Sequence, residues 1–267
     1  MNETLGTDAG RSVLRMERRL RHPAEKVWRA LTEPAELSQW YPLRAGGIDL
    51  RVGGAIEFAD EDGTRHDAVI TDLEPGRVFG FRVAEPGTPG GRERDNLLRF
   101  ELHPDPRGCL LVLVHTFDDR PAAASYAAGW QTCLDVLVRV LSGEEAGAPD
   151  LAGMPSRHEA FVERFGLDLA DLRDAPVARI ERQLMMRDPG TVWKALVAAA
   201  PDDATTIEPN TTLEYPLPTG ARLRWELTEG PGGARVHLTH TPHPDQTPAQ
   251  SATAAQTALH SLLTTLD

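Results

Sequence analysis

The side chains best suited to proton chemistry in this chain are two histidines and a tyrosine, His66, His115 and Tyr41. An imidazole or a phenol can hold a proton at a defined place or orient a polar group of a ligand. An acid–base enzyme needs at least two such groups to converge inside one cavity. The sequence scatters these three over separate predicted elements, so they are candidates for a site and not a recognisable catalytic set.

Comparison with a later part of the chain separates the two histidines. His115 recurs as His240 in a shorter, similar segment, which favours a structural role, whereas His66 and Arg65 have no counterpart and are better candidates for a ligand contact. Cys133 falls one residue off the apolar stripe of a predicted helix and is expected to be a packing residue. The sequence contains no Gly-x-Ser-x-Gly elbow, Gly-rich phosphate loop or His-Glu-x-x-His motif, so we assign no catalytic residue.

Three histidines near the end of the chain, His237, His240 and His243, are enough in number for a metal site. On a strand, however, His237 and His240 point to opposite faces. Pro242 and Pro244 prevent a helix that would bring the three together. We therefore predict no metal site, and no bound cofactor is implied by the sequence.

Two arginines, Arg18 and Arg182, fall on the apolar side of predicted strands that are similar to each other. A buried guanidinium needs a carboxylate or carbonyl partner. Because an arginine occupies the same place in both segments, we expect a structural ion pair and not a clamp for a ligand.

Composition limits the class of protein. The chain has 267 residues and a formal net charge of −12, and no segment has a surplus of basic residues, which argues against binding to nucleic acid. No apolar stretch approaches the roughly 18 residues that would suggest a membrane span, and the first residues lack the apolar core of a secretory signal. The two cysteines, Cys109 and Cys133, are expected to be reduced, so we predict a cytoplasmic protein.

An internal repeat is the most informative feature of the sequence. Five short segments recur in the same order: 15–20 as 179–184, 27–31 as 192–196, 98–102 as 223–227, 115–116 as 240–241 and 131–132 as 256–257. The offset falls from 164 to 125, so the second copy lacks about 40 residues between its first helix and its last strands. We predict a complete domain at 12–143, an acidic linker at 144–176 and a truncated repeat at 177–267. Within the linker we expect a short helix with Ser156 as its N-cap and Gly166 as its stop. The truncated repeat, with about three strands and two helices, would serve as a scaffold or lid.

Local patterns in the first copy predict a strand, two short helices, a series of strands and one long helix. The predicted bounds are a strand at 13–20, helices at 23–32 and 33–40, strands at 55–59, 65–73, 77–84, 95–103 and 109–117, and a Pro- and Gly-rich turn at 86–91. Trp130, Leu134, Leu137, Val138 and Leu141 then follow helical spacing, up to a stop near Gly143. The economical packing is an α+β fold in which a curved antiparallel sheet wraps around the long C-terminal helix.

The repeat also predicts which side chains of the last strand face inward. Leu110 to Val114 is apolar throughout, so its own pattern is ambiguous, but the corresponding segment 235–239 alternates between polar and apolar residues. That alternation assigns Leu111, Leu113 and His115 to the core side of the sheet.

With these elements in place, the first copy resembles the START-like (SRPBCC) superfamily and, within it, the activator of heat-shock protein 90 ATPase homologue (AHSA-type) family. The residues that carry the resemblance are 22–31, Glu33, Pro34, Trp40, 51–54, 73–77, Phe79, 98–102, 113–117, Gly129 and Trp130. They span nearly all of the first copy in a specific order and spacing. The second copy matches only at its first strand, first helix, last two strands and last helix.

The resemblance implies a helix-grip fold with a cavity between the sheet and the long helix. Members of the superfamily bind hydrophobic small molecules there, and a minority catalyse reactions such as polyketide cyclisation. We therefore expect non-enzymatic binding of an apolar small molecule, with two alternatives: a protein-interaction module related to chaperone activators, and an enzyme of the cyclase or hydratase type. The cavity candidates are Trp40, Tyr41, Phe58, His66, Phe79, Phe81, Phe100, Leu111, Leu113, His115, Trp130, Leu134 and Leu137.

Overall fold

The computed structural model describes residues 2–84 and 95–266, and the chain divides into two compact units at 1–152 and 153–267. Each unit has its own antiparallel sheet and its own long C-terminal helix. The turn predicted at 86–91 lies outside the described residues. No helix within 2–84 and 95–266 combines the length and the apolar character needed to cross a membrane.

The first unit is built on one eight-stranded sheet. Its strands are β1 (Asn2–Asp8), β2 (Arg11–Leu20), β3 (Arg44–Ile48), β4 (Ala55–Ala59), β5 (Arg65–Glu74), β6 (Val78–Ala84), β7 (Asp95–Asp105) and β8 (Gly108–Phe117). Its helices are α1 (Ala24–Thr32), α2 (Pro34–Leu37) and α3 (Ala123–Leu141), the last preceded by a 3₁₀ turn at Arg120–Ala122. The strand order is β1-β2-β8-β7-β6-β5-β4-β3. The predicted α+β helix-grip architecture is confirmed.

The pairing register of β7 and β8 decides which side chains face α3. Leu98 lies opposite His115, and Phe100 lies opposite Leu113. Directly opposite residues of antiparallel strands project from the same face of a sheet, and Leu111 shares that face because it is two residues from Leu113. All five side chains are buried. The predicted inward orientation of this end of β8 is confirmed.

The hydrophobic pattern predicts neither of the two edge strands, β1 and β3. Leu5 is the single large apolar residue of β1. In β3, Gly46 and Gly47 have low strand propensity, and the register shifts between Ala45 and Gly47. An edge strand with few buried side chains carries little alternation, so sequence patterns do not mark it.

Helix α3 begins at Ala123, about two turns before the stripe of large side chains that starts at Trp130. Its first turns bury alanines at helical spacing, among them Ala123, Ala124, Ala127 and Ala128. Alanine has little apolar surface, so this half of the buried face produces a weak hydrophobic pattern and is missed by a search for large residues.

The second unit contains five strands, whereas the sequence predicted about three. Its elements are α4 (Met154–Phe165), β9 (Ala178–Met185), α5 (Pro189–Ala199), β10 (Thr205–Glu208), β11 (Thr212–Pro216), β12 (Arg222–Gly230), β13 (Gly233–Thr241) and α6 (Pro248–Leu266). The strand order is β10-β11-β12-β13-β9. The two strands that sequence reasoning missed, β10 and β11, have four and five residues, too few for alternation to be recognised.

The short helix predicted between the copies is α4. Its N-terminal boundary is wrong in the prediction, because the helix starts at Met154 after Gly153 and Ser156 lies inside it. Its C-terminal boundary is confirmed: Gly166 adopts the left-handed conformation, with φ 62°, and ends the helix.

The two sheets share an inner arrangement of strands. In the first, β8 lies between β2 and β7, and in the second, β13 lies between β9 and β12. His240 lies opposite Leu223 as His115 lies opposite Leu98, so equivalent positions in these strands differ by 125. Among the described residues, the second unit has no counterparts of β1, β3, β4 and α2, so its arrangement matches that of an incomplete copy of the first unit.

Candidate functional site

A cavity of about 490 Å³ lies between the sheet and α3 in the first unit. Its wall is formed by the segment after α2, by β5 to β8 and by one face of α3. The residues that line it are Tyr41, Pro42, Leu43, His66, Val83, Asn96, Leu98, His115, Ser125, Tyr126, Gly129, Trp130 and Cys133. Pockets that hold small organic molecules have volumes of roughly 300–1,000 Å³, so this cavity has the size of a ligand site.

One face of α3 supplies the helical side of the cavity. Tyr126, Gly129, Trp130 and Cys133 follow each other at helical spacing and lie on the same face. Gly129 keeps part of this face open, because a Cβ atom placed there would meet nothing within 4 Å. The cavity therefore reaches the helix backbone at this point.

Aromatic rings form much of the wall and the layer behind it. The ring of Tyr41 stacks on Phe58 at a centroid distance of 4.8 Å and lies 5.8 Å from the ring of Trp130. Phe81 lies 5.7 Å from Phe58, and Phe100 lies 6.3 Å from Trp130. Ring pairs at such distances attract each other in offset and edge-to-face arrangements, so the wall is rigid as well as apolar.

The structure brings some of the predicted cavity residues to the surface of this cavity and leaves others behind it. Four of them line it: Tyr41, His66, His115 and Trp130. The others are buried in the core but are not lining residues: Trp40, Phe58, Phe79, Phe81, Phe100, Leu111, Leu113, Leu134 and Leu137. The predicted apolar stripe of α3 therefore has two roles: Trp130 lines the cavity, and Leu134, Leu137 and Leu141 pack in the core.

Two hydrogen bonds define the tautomer of His115. The indole N–H of Trp130 donates to His115 Nδ1 at 3.1 Å, and His115 Nε2 lies 2.8 Å from Asn96 Oδ1. An indole nitrogen can only donate, so Nδ1 accepts, Nε2 carries the proton and Asn96 Oδ1 accepts it. Burial, together with the charge of Arg11, lowers the pKa of His115 to about 3, and the imidazole therefore stays neutral at pH 7.

Two further titratable groups at the cavity are also neutral at pH 7. Burial, with a smaller contribution from Cys133, raises the pKa of the Tyr41 phenol well above its usual value. Burial raises the pKa of the Cys133 thiol to about 12. A general acid or base works best with a pKa near the ambient pH, and a thiol reacts as the thiolate. Tyr41, Cys133 and His115 are therefore suited to contact with a neutral molecule.

His66 contributes a polar group of a different kind. Its Nε2 lies 3.1 Å from Asp60 Oδ2, in the turn between β4 and β5. The same carboxylate accepts a hydrogen bond from the backbone N–H of Thr64 at 2.9 Å. A carboxylate only accepts, so the His66 Nε2–H donates to it. The carboxylate of Asp60, which does not line the cavity, therefore orients His66. His115 instead connects the sheet to helix α3 through its bonds to Asn96 and Trp130.

Sequence reasoning missed several residues that line the cavity as candidates: Pro42, Leu43, Val83, Asn96, Leu98, Ser125, Tyr126, Gly129 and Cys133. Asn96 gave a readable signal, because it precedes the inward-facing Leu98 by two positions on a strand and so shares its face. Tyr126 and Gly129 could be found by extending the spacing of Trp130 backward along the helix. Pro42 and Leu43 belong to a connecting segment, for which no periodic pattern exists.

The two buried arginines form the expected ion pairs. Arg18 Nη1 lies 2.8 Å from Glu3 Oε1 of β1, and Arg182 Nη2 lies 2.6 Å from Glu159 Oε2 of α4. Arg182 Nη1 also donates to the backbone oxygen of Gln183 at 2.5 Å. Neither guanidinium lines the cavity described above. The prediction of a structural role is confirmed for both.

The three histidines near the end of the chain have separate surroundings. His240 is buried and its Nδ1 lies 2.8 Å from Ser251 Oγ, whereas His237 Nε2 lies 3.3 Å from Thr228 Oγ1. His243 contacts Asp245 beyond the end of β13. Within the part of the chain that the structure describes, no group of three or more His, Cys, Asp or Glu side chains is placed to hold a metal ion.

Comparison with known proteins agrees with this architecture. Residues 21–142 match the family described as activator of Hsp90 ATPase homolog 1-like protein. The match spans α1, α2, the strands β3 to β8 and α3 of the first unit, so this segment is similar to that family. The family has a fold of the hydrophobic ligand-binding type. No curated protein matches the chain.

Several solved structures are similar to this chain. CalU16 from Micromonospora echinospora is 24% identical, with a TM-score of 0.50 over 61% of this chain and 96% of that one. EF2215 from Enterococcus faecalis, a conserved protein of unknown function, is 23% identical, with a TM-score of 0.48 over 61% and 89%. DynU16, from the dynemicin biosynthetic locus, is 17% identical, with a TM-score of 0.47 over 95% and 97%. The likeness to CalU16 is a likeness of fold.

Proposed function

We propose that the first unit binds an apolar small molecule in the cavity between its sheet and α3 and does not transform it. The observation that carries this proposal is the cavity itself, about 490 Å³ in volume, whose described lining residues include no Asp, Glu, Lys or Arg. Transfer of apolar surface from water into such a site is favourable by roughly 25 cal/mol per Å². A filled interior would have favoured the alternative, a protein-interaction module of the chaperone-activator kind.

The polar groups at the cavity support binding more than acid–base catalysis. The Nδ1 lone pair of His115 is occupied by the indole N–H of Trp130, and the low pKa of this imidazole makes it a poor base. The phenol of Tyr41 and the thiol of Cys133 are protonated at pH 7. The phenol and the thiol can contact a ligand, whereas acid–base catalysis of the cyclase or hydratase type would need a group that exchanges a proton near pH 7.

Native mass spectrometry of the full chain, purified from its own host, tests this proposal. We expect a small molecule to co-purify with the wild-type protein. Gly129→Leu provides a variant that fills the cavity, because the space beside Gly129 is open and leucine is a better helix former than glycine. This variant should lose the bound molecule, whereas Gly129→Ala, which adds a single methyl group, should retain it.

Two results would contradict the proposal. A chaperone that co-purifies in place of a small molecule would support the protein-interaction alternative. Equal retention of a small molecule by wild type and by Gly129→Leu would place the binding site elsewhere in the chain. Circular dichroism of the variant, unchanged from wild type, is the control for its fold.

A further inference from the structure

The hydrogen bonds around His115 determine what Asn96 presents to the cavity. Asn96 Oδ1 accepts the Nε2–H of His115, so the Nδ2 amide group is the other end of this side chain. The hydrogen bond to His115 uses only the oxygen of this amide, and Asn96, which is 7% exposed, lines the cavity. Among the described residues, Nδ2 is not one of the fully enclosed polar atoms that lack a partner, so we place its N–H at the cavity surface, where it can donate to a ligand. A molecule in the cavity that carries an acceptor would satisfy it.

The orientation of this amide follows from chemistry and does not depend on how the two amide atoms are assigned. Trp130 can only donate through its indole nitrogen, so it fixes His115 Nδ1 as an acceptor and Nε2 as a donor. The Asn96 atom that faces Nε2 must therefore be the oxygen. Trp130 and His115 are positioning residues in this chain, and the Asn96 amide is the group available for contact with a ligand.

A second donor lines the same cavity. The hydroxyl group of Tyr41 has no hydrogen-bond partner among the described residues, while its ring is held in place by Phe58 and Trp130. A buried phenol usually finds a partner. Both groups, the amide and the hydroxyl, can donate, whereas two acceptor atoms beside them, Asn96 Oδ1 and His115 Nδ1, are already occupied.

The charge of the ligand is restricted by the lining. The described lining residues include no Lys or Arg that could pair with a buried anion and no Asp or Glu that could pair with a buried cation. Burial of an unpaired charge is strongly unfavourable. An acceptor on a neutral molecule, such as the oxygen of a ketone, ester or quinone, can accept a hydrogen bond from either donor without that penalty.

We propose that the cavity selects neutral apolar molecules that carry a carbonyl-type oxygen, and that the Asn96 amide donates a hydrogen bond to this oxygen. This inference rests on the proposed ligand-binding function and adds the chemical class of the ligand. His115 and Trp130 support the contact indirectly, because they hold the amide with Nδ2 toward the cavity.

The experiment compares two bicyclic probes, 1-tetralone and tetralin, which differ at one carbon by a carbonyl group. Both are titrated into the full chain and followed by ¹H–¹⁵N NMR, and the result is the ratio of their dissociation constants, tetralin over 1-tetralone. We expect Asn96→Leu to lower this ratio about fivefold, the value of one net hydrogen bond. The side-chain amide resonance of Asn96 in the wild type should shift with 1-tetralone and much less with tetralin.

Two further variants complete the comparison. Asn96→Asp keeps an oxygen for His115 and removes the amide donor, so it should lower the ratio as Asn96→Leu does. Leu43→Ala trims an apolar lining residue and should weaken both probes equally, which leaves the ratio unchanged. The wild-type amide shift remains a test if either Asn96 variant fails to fold.

The outcomes distinguish this inference from the function on which it rests. If both probes bind and neither the ratio nor the amide resonance responds, the carbonyl preference is wrong while ligand binding in the cavity stands. If neither probe binds to the wild type, both proposals are overturned.

Discussion

The two units place a histidine at the same point of the same strand and surround it with different partners. In the first unit, Trp130 of α3 and Asn96 of β7 hold His115 from both sides. In the second unit the equivalent positions, 125 residues later, are Ala255 and Ala221, which have no hydrogen-bonding side chain. The second unit therefore has the equivalent histidine, His240, but cannot form the two hydrogen bonds that connect His115 to Asn96 and to Trp130.

His240 has found another partner in the second unit. Its Nδ1 lies 2.8 Å from the hydroxyl of Ser251, which occupies the position of Tyr126, one helical turn before that of Trp130. Its Nε2 is buried and has no hydrogen-bond partner within residues 2–84 and 95–266. Burial lowers the pKa of His240, so this imidazole is neutral as well. In both units the histidine joins a strand to the long helix, and in the first unit Asn96 also connects it to the cavity.

The helices differ in what they place against the sheet. In α6, Ala255, Leu259 and Leu262 pack into one core with Trp225 and Leu238. In α3, Trp130 and Gly129 face a cavity at the corresponding level. The side chains on one face of the long helix therefore differ between the two units: in α3 they line a cavity, and in α6 they pack into a hydrophobic core.

The largest expected effect comes from a substitution that places tryptophan, the residue at position 130 of α3, at the equivalent position 255 of α6. Ala255 is fully buried, so we expect Ala255→Trp to overpack the second unit and lower its free energy of unfolding by about 3 kcal/mol or more. Hydrogen exchange of the β13 amides measures the effect. Thr257→Trp, on the exposed face of the same helix, is the control. An unchanged exchange rate in Ala255→Trp would mean that the second unit has room for an indole and that the comparison is wrong.

The two buried arginines provide the next test. The side chain of Glu3 is 4% exposed and that of Glu159 is 56% exposed. Removal of a buried partner leaves a guanidinium charge uncompensated, so Glu3→Ala should cost about 3 kcal/mol of unfolding free energy. Glu159→Ala should cost less, about 2 kcal/mol, because its carboxylate is half exposed and water can take its place beside the buried guanidinium of Arg182. Hydrogen exchange of β2 and β9 reports the two effects separately, and equal losses would contradict this difference in burial.

The pH dependence of stability sharpens the account of His115. Its pKa is about 3 in the folded protein and near 6.5 when unfolded. Between these values the unfolded chain binds more protons, so the folded state loses stability as pH falls below about 6.5, by about 1.4 kcal/mol per pH unit. Urea denaturation at pH 6.5 and pH 5 should therefore show a loss of about 2 kcal/mol attributable to this residue. His115→Gln should remove that part of the loss, and an identical pH profile in the variant would argue against a buried neutral imidazole.

The smallest expected change in stability comes from removing the contact between His240 and Ser251 in the second unit. Ser251→Ala removes the hydroxyl next to His240 Nδ1 and should lower the free energy of unfolding by about 1 kcal/mol, the value of one neutral hydrogen bond. Hydrogen exchange in β13 provides the measurement, with Ser261→Ala as a control on the exposed side of α6. Stabilisation on replacing Ser251 would show that the hydroxyl does not bind His240.

Much of the fold can be predicted from sequence, because its central elements bury large side chains with a clear period. The strand at Ala55–Ala59 and the helix at Ala24–Thr32 follow from local pattern and turn residues. The inward face of β8 was ambiguous by itself and became readable from its counterpart in β13. Edge strands such as β1, and the alanine-rich start of α3, are missed because they bury little apolar surface.

The candidate site is less predictable, since a cavity depends on atoms that are absent. Gly129 opens the helix face by having no side chain, and no periodic pattern marks such a position. Aromatic residues were predicted to form the walls of a pocket, but most of the predicted ones form the layer behind the cavity. The hydrogen bond between Asn96 and His115 can be predicted only when the pairing register of β7 and β8 is known.

The most direct test of the central claim is a titration of tetralin into the full chain, followed at the indole N–H resonances of Trp130 and Trp225. These two residues belong to the cavity of the first unit and to the packed core of the second. The account predicts a saturable shift at Trp130 that disappears in Gly129→Leu, with no shift at Trp225. A resonance of Trp130 that does not respond, or an equal response at Trp225, would contradict it.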